Sequence, residues 1–495
     1  MSMNEKDAPA KGGGGAGRTP PTRARMAGGA ALTAIARAYA QLTQLVIFVV
    51  AARVLGPEEF GFFVLVSAFA YIALKVSEAG WAEYIMAWSG DVHTIRCTFG
   101  ISWISGAAMM GLGLLATAAV PLVTHHPETQ LLVAGFAIWI LLATPSAALN
   151  GTLIWEGRIM SFAICTILAE SVGLLVSLAL LQAGYGVLAL VGGRLALQVA
   201  FLAVALAVTR LRPAFDMARQ DLRLLSEFSL NILASRLVIT LRGYSGVFVV
   251  GAFLDPVSVG FFRAGQRVVG AFSELVGEPT RILAWRSFRL ARDTGRDDAL
   301  QDCANRFFPV LGVIATPGYL WIALFSEQII MGLLGPEWQS AAPVISLLAV
   351  AALLGTLGHA SEPLMSLTGN TRLMRRLFIA YALMGITLTV ASGPFGLIAL
   401  TVAQVVAMAI ILVVNLHIYR TRLDILWMPV VRNLLPATLP VVVSMSALML
   451  LDGLQVLTGM NPLARVVLLS LPVLALYLLL LALVYRRALR DWRAG

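Results

Sequence analysis

Apolar runs of about twenty residues, separated by short polar turns, follow one another from about residue 28 to residue 485. A run of that length matches what an α-helix needs to cross about 30 Å of hydrocarbon. One crossing per run predicts about fourteen helices, near 28–54, 60–80, 98–122, 131–149, 160–183, 186–208, 228–253, 257–279, 305–327, 340–359, 375–393, 396–418, 433–452 and 462–485. The fold class is therefore all-α, a polytopic membrane protein.

Several runs carry polar residues that recur every three to four positions, so each of those helices has one polar face. The first bears Thr33, Arg37, Gln41 and Gln44, and the second Ser67, Tyr71, Lys75 and Glu78. The eighth bears Arg263, Gln266, Arg267, Gly270 and Glu274; on the seventh, Asn231, Ser235 and Arg242 share a face from which Arg236 stands aside. A charge at membrane depth costs roughly 2.5–3.5 kcal/mol on insertion scales, so the stripes are expected to converge on a protein interior or a watered cleft.

The stripes sit in an internal repeat. Leu55-Gly56-Pro57-Glu58-Glu59-Phe60-Gly61-Phe62-Phe63 joins the first two runs, and Leu254-Asp255-Pro256-Val257-Ser258-Val259-Gly260-Phe261-Phe262 joins the seventh and eighth. The shared pattern L-x-P-x-x-x-G-F-F at matching junctions predicts two homologous six-helix lobes around a central cavity, related by an axis along the membrane normal. The expected division is a disordered tail over 1–27, lobes over 28–210 and 228–420, an inter-lobe linker over 211–227, and two further helices with a basic tail over 421–495.

With the stretch 280–304 expected as an interfacial helix, charge in the loops fixes the orientation. Alternate loops hold nearly all the arginines, while the opposite loops hold little beyond Arg53 and Arg465, which predicts both termini in the cytoplasm. The net charge of +10 is thus chiefly a topology signal, and no nucleic-acid partner is implied. Hydrophobic residues make up 59% and charged ones 13% of the 495, with mean hydropathy +0.85, which excludes a water-soluble globular protein. The three cysteines, Cys97, Cys165 and Cys303, are far apart and suggest neither a disulfide framework nor a metal cluster. His125 and His126 beside Pro127 read as an outer loop, and His359 with Glu362 as a polar helix end. No phosphate-binding loop, nucleotide fold or Ser-His-Asp arrangement is present, so neither an enzyme nor a cofactor is expected.

A structural reading pairs Lys75 with Glu78, Arg267 with Glu274, and Glu170 with Arg194, and it is the preferred one for Glu170 and Arg194 alone. The six basic residues of the stripes still outnumber Glu78 and Glu274, and surplus positive charge favours an anionic substrate. A diphosphate suits guanidinium forks, and Gln41, Gln44, Gln266 and Asn231 suit sugar hydroxyls.

The run Arg53-Val54-Leu55-Gly56-Pro57-Glu58-Glu59-Phe60-Gly61, then Gly184-Tyr185-Gly186-Val187-Leu188-Ala189-Leu190, Gly260-Phe261-Phe262-Arg263-Ala264 and Leu334-Gly335-Pro336-Glu337-Trp338 resemble the polysaccharide transporter branch of the multidrug/oligosaccharidyl-lipid/polysaccharide exporter superfamily. The resemblance runs from about residue 30 to 420; one departure is Glu78-Ala79-Gly80, whose acidic residue stands one position early. It implies twelve to fourteen helices, two lobes, a cationic central cavity, and the flipping of polyprenyl-diphosphate-linked oligosaccharides across the bacterial inner membrane. The implied partners are that lipid-linked oligosaccharide, membrane lipids, and glycan polymerase and export machinery. A multidrug exporter of the same fold would favour carboxylates for cationic substrates. A membrane-embedded glycan polymerase or ligase would need a long outer loop, and here the outer loops are short.

Overall fold

The computed structural model of the chain describes residues 23–485 apart from 89, 124–127, 297, 455–456 and 458. His125, His126, Pro127, the first twenty-two residues and the last ten lie outside the described residues. Among the described residues every regular element is a helix. The first set comprises α1 (Arg23–Glu78), α2 (Trp81–Ala87), α3 (Val92–Val123), α4 (Thr129–Trp155), α5 (Ile159–Gln182) and α6 (Leu188–Thr209). The second comprises α7 (Arg219–Phe253), α8 (Pro256–Asp293), α9 (Ala299–Leu324), α10 (Ser326–Leu334), α11 (Ala342–Gly355), α12 (Ser361–Leu367), α13 (Thr371–Ser392) and α14 (Leu397–Arg422). Then come α15 (Trp427–Leu434), α16 (Thr438–Gly453) and α17 (Pro462–Val484), with α16 packed on α9 and α17 on α10.

Twelve described segments are long and apolar enough to cross a membrane. The first contains both arms of α1, which breaks at Gly56, and α8 is long enough but too polar to be counted among them. The fourteen expected crossings are therefore all present as helices. Gly56 adopts φ 70°, a left-handed conformation that an L-residue enters only with strain, and Pro57 starts the second arm with its fixed φ. Large apolar side chains such as Leu115, Leu175 and Leu450 point outwards, as expected of a surface solvated by lipid rather than water.

The two sets of helices meet where α1 crosses α8, and the repeat motif makes the crossing. A methyl group on Gly61 would strike the carbonyl of Pro256, and one on Gly260 would strike the carbonyl of Pro57. Each copy of the motif thus supplies the glycine that accepts the other copy's backbone. Trp338 lies between Phe60 and Phe261, with ring centroids 5.8 and 6.0 Å away, and its indole N–H donates to the Ala52 carbonyl at 3.1 Å. Arg53 donates to the carbonyls of Leu333 and Gly332, each at 2.6 Å, at the C-terminal end of α10. A cation there satisfies carbonyls that the helix leaves without partners.

Two expectations need correction. The stretch expected as a separate interfacial helix in 280–304 begins as the continuation of α8, which passes through Pro279 to Asp293. Arg289 and Asp293, one turn apart at 3.6 Å, support that extension. The linker is also shorter than expected, because α7 starts at Arg219 and carries its own i,i+4 pair, Arg223 to Glu227 at 3.0 Å.

Candidate functional site

Between the two sets of helices lies a cavity of about 530 Å³. The first arm of α1 contributes Gln41 and Gln44, the second arm Ser67 and Tyr71, and α8 Arg263 and Arg267. Glu170 and Ser177 of α5, Arg194 and Gln198 of α6 and Tyr244 of α7 add to its polar lining, with Trp139 of α4 among the rings. Glu170 accepts a hydrogen bond from Gln44 Nε2 at 3.0 Å. Arg194 lies 5.0 Å from the centroid of Tyr71 and 5.7 Å from those of Phe63 and Trp139, and donates to the Tyr71 hydroxyl. Among the described residues Glu170 and Arg194 make no direct ion pair. The aromatic faces hold the guanidinium instead, since a weakly hydrated, delocalised cation stacks well on rings.

A second cavity of about 1420 Å³ lies within the second set of helices. Its lining includes Arg242 of α7, Arg263 and Gln266 of α8, and Arg372 and Arg375 of α13, with no carboxylate. His359, Tyr381, Gln404 and Asn415 add polar groups to walls that are otherwise mostly apolar. Arg263 lines both cavities, donating to Gln266 Oε1 at 3.2 Å while its guanidinium lies 5.7 Å from the Tyr244 centroid.

The remaining stripe residues sit elsewhere. Lys75 pairs with Glu78 at 2.6 Å, Arg236 reaches Glu78 at 3.4 Å and also pairs with Glu83 of α2. That cluster of two cations and two anions ties α7 to the end of α1 and lines neither cavity. Arg37 and Glu274 are exposed and also line neither. The side chain of Asn231 lies outside the described residues. The expectation that Arg37, Lys75, Arg242, Arg263 and Arg267 share one cavity is thus not met: Arg37 and Lys75 line neither, Arg267 lines the smaller, Arg242 the larger, and Arg263 both. Arg37 and Lys75 each stand one turn, about 6 Å, past the lining residues of their stripes: Arg37 before Gln41 on the first arm and Lys75 beyond Tyr71 on the second.

Sequence reasoning missed Arg194, Tyr244, Arg372 and Arg375 as lining residues. Arg194 carries a signal, being a lone arginine inside an apolar run; Arg372 and Arg375 look like ordinary loop-flanking charges.

A family model described as polysaccharide biosynthesis protein matches residues 50–343. The chain is 23% identical over 304 residues to the succinoglycan biosynthesis transport protein ExoT of Rhizobium meliloti strain 1021, a match covering 61% of this chain and 60% of that relative. The chain thus spans about three fifths of the relative's length. Among solved structures, the lipid II flippase MurJ in an inward closed conformation is similar with a TM-score of 0.72 at 12% identity, over 92% of this chain and 99% of that one. An inward-facing multidrug resistance MATE family transporter of the MOP superfamily is similar with a TM-score of 0.62 at 15% identity, over 78% and 94%. These structures share the helical architecture, and the family model covers more than half of the sequence, from the first arm of α1 to the start of α11: the chain belongs to the polysaccharide biosynthesis protein family.

Proposed function

We propose that this protein is a flippase that moves polyprenyl-diphosphate-linked oligosaccharide repeat units across the bacterial inner membrane for exopolysaccharide, capsule or O-antigen assembly. The observation that carries the reading is the charge of the two cavities: Arg194, Arg242, Arg263, Arg267, Arg372 and Arg375 line them against the single carboxylate of Glu170. Guanidinium groups stay charged in a low-dielectric site and bind phosphate oxygens in pairs. Gln41, Gln44 and Gln266 offer both donors and acceptors to sugar hydroxyls. The transport role in the name of the rhizobial relative and the flippase fold of the MurJ structure support the same reading.

In the orientation that the loop arginines favour, both termini are cytoplasmic and the turns at Pro57 and Pro256 face the periplasm. Alternating access then proceeds by rocking of the two sets of helices, with the Gly61–Gly260 crossing, the Arg53 contacts and Trp338 closing the periplasmic side. The substrate diphosphate is held by Arg263 and Arg267.

The test is the double variant R263A/R267A, compared with the parent at matched membrane levels. It is expected to stop polymer export while lipid-linked repeat units accumulate on the inner leaflet. Export at the parent rate would show that the arginines do not carry the substrate.

A further inference from the structure

At the end of the bundle opposite the Pro57 and Pro256 turns, the extended segment 210–218 between α6 and α7 lies against the start of α3. Ala214 N–H donates to the Arg96 carbonyl at 3.1 Å, and Arg96 Nε donates to the Arg212 carbonyl at 3.1 Å. Contact is so close that a methyl group on Gly100 would strike the Ala214 carbonyl. This packing holds Asp216 above the face of α3 that carries His93 and Cys97, four residues apart and therefore on one side of the helix.

We propose that His93, Cys97 and Asp216 form a binding site for one divalent transition-metal ion, Zn²⁺ by chemical preference, which fastens the connection between the two sets of helices to α3. Nothing in the proposal depends on the substrate assigned above. His93 Nε2 lies 3.2 Å from Asp216 Oδ2, Cys97 Sγ lies 3.7 Å from Asp216 Oδ1, and Cys97 Sγ lies 3.7 Å from His93 Nδ1 and 4.0 Å from Nε2. One ligand atom from each residue falls within 4.8 Å of the others. Bonds of about 2.0–2.3 Å to a tetrahedral ion set ligand atoms roughly 3.3–3.8 Å apart, so small side-chain rotations complete the geometry.

The donor set selects the ion. An imidazole nitrogen and a thiolate favour zinc and its late first-row neighbours over magnesium or calcium, which prefer oxygen alone. Cys97 binds as the thiolate, its proton passing to solvent as the sulfur–metal bond forms. Three protein ligands leave a fourth position for water. Cys97 is buried while His93 and Asp216 are exposed, so the ion closes the site from the solvent side. The alternative is a plain hydrogen-bonded cluster, in which the imidazole pairs with Asp216 Oδ2 and the thiol donates to Oδ1, and it predicts no metal binding.

Cobalt tests the site, because a thiolate bound to Co²⁺ gives a charge-transfer band in the near ultraviolet. Full-length protein in detergent, stripped with chelator and titrated with CoCl₂, should show that band with one equivalent bound. Zn²⁺ should displace the cobalt, following the order of affinities for such ligands. C97S should abolish the band. D216N, at an exposed position that leaves folding intact, should weaken binding roughly tenfold or more, and C303S should change nothing. Absence of the band in the parent protein, or its survival in C97S, would overturn the proposal.

Discussion

The two cavities meet at Arg263 yet solve the same electrostatic problem differently. In the smaller one, three arginines face a carboxylate and a set of aromatic rings, so most of its charge already has protein partners. In the larger one, four arginines stand among mostly apolar walls with no carboxylate in the lining, which under the proposed function would leave their charge to the substrate. The two copies of the motif carry part of this contrast in their sequence. Leu55 of the first motif matches Leu254 of the second, a difference of 199 residues, which sets Val64 and Ala68 opposite Arg263 and Arg267. Both copies keep the proline and glycine that build the crossing, and only the second adds the guanidinium groups.

The largest effect is expected where the cavities meet. Arg263→Ala removes a charge-assisted contact of about 1.5–3 kcal/mol, which corresponds to roughly 10- to 150-fold in export rate. Arg267→Ala, which touches only the smaller cavity, and Arg242→Ala, which touches only the larger, should each cost less than Arg263→Ala at matched protein levels. Lysine at 263 should restore part of the rate, because it keeps the charge and loses the fork. Equal losses at all three positions in a glycan export assay would mean that the cavities act as one.

Arg194 and Arg242 separate the two kinds of site more finely. Arg194→Ala strips a cation from three ring faces, a loss of about 0.5–2 kcal/mol, so the unfolding midpoint of the purified protein should fall together with export. Arg242 is exposed and lacks such a cage, so its alanine variant should lower export and leave the midpoint unchanged. A stable, inactive Arg194→Ala protein would make the smaller cavity a binding site of the same kind as the larger.

Much of this arrangement is legible in the sequence, and the parts that are not share one cause. Period and length give the helices, and the paired L-x-P-x-x-x-G-F-F runs give the crossing, because those signals are local. Helical spacing also gives the face on which Gln41, Gln44, Ser67 and Tyr71 lie. It does not give depth along the axis or the identity of the facing helix. That is why Lys75 and Arg37, on the same stripes, fall outside the cavities, and why Glu83, on a seven-residue helix after a break, was not counted against the cations. The same limit hid Asp216, which meets His93 and Cys97 only after more than a hundred intervening residues are folded.

The ion cluster beyond the cavities offers a smaller effect. Arg236 bridges Glu78 and Glu83 while about a third of its side chain remains exposed, at 34%. Arg236→Ala should destabilise the protein by about 1–2 kcal/mol, between the values for exposed and for fully buried pairs. The surviving protein should export at the parent rate, since neither cavity loses a charge. Reduced export per folded molecule would bring the cluster into the substrate path.

The smallest effect is expected at Arg37, and it sharpens the comparison most by showing how far the site reaches. The residue shares its stripe with Gln41 and Gln44 but stands exposed, one turn beyond the lining of the smaller cavity. Among the described residues replacement by alanine removes no ion pair, so stability should stay within about 0.5 kcal/mol of the parent. Export should also be unchanged if the diphosphate travels only past the arginines that line the cavities. If instead Arg37→Ala slows export while the midpoint holds, the substrate touches the first arm of α1 in another state of the cycle. Glu274→Ala is the control on α8, since that residue is also exposed and outside both cavities, and loss of a carboxylate there should not slow an anion.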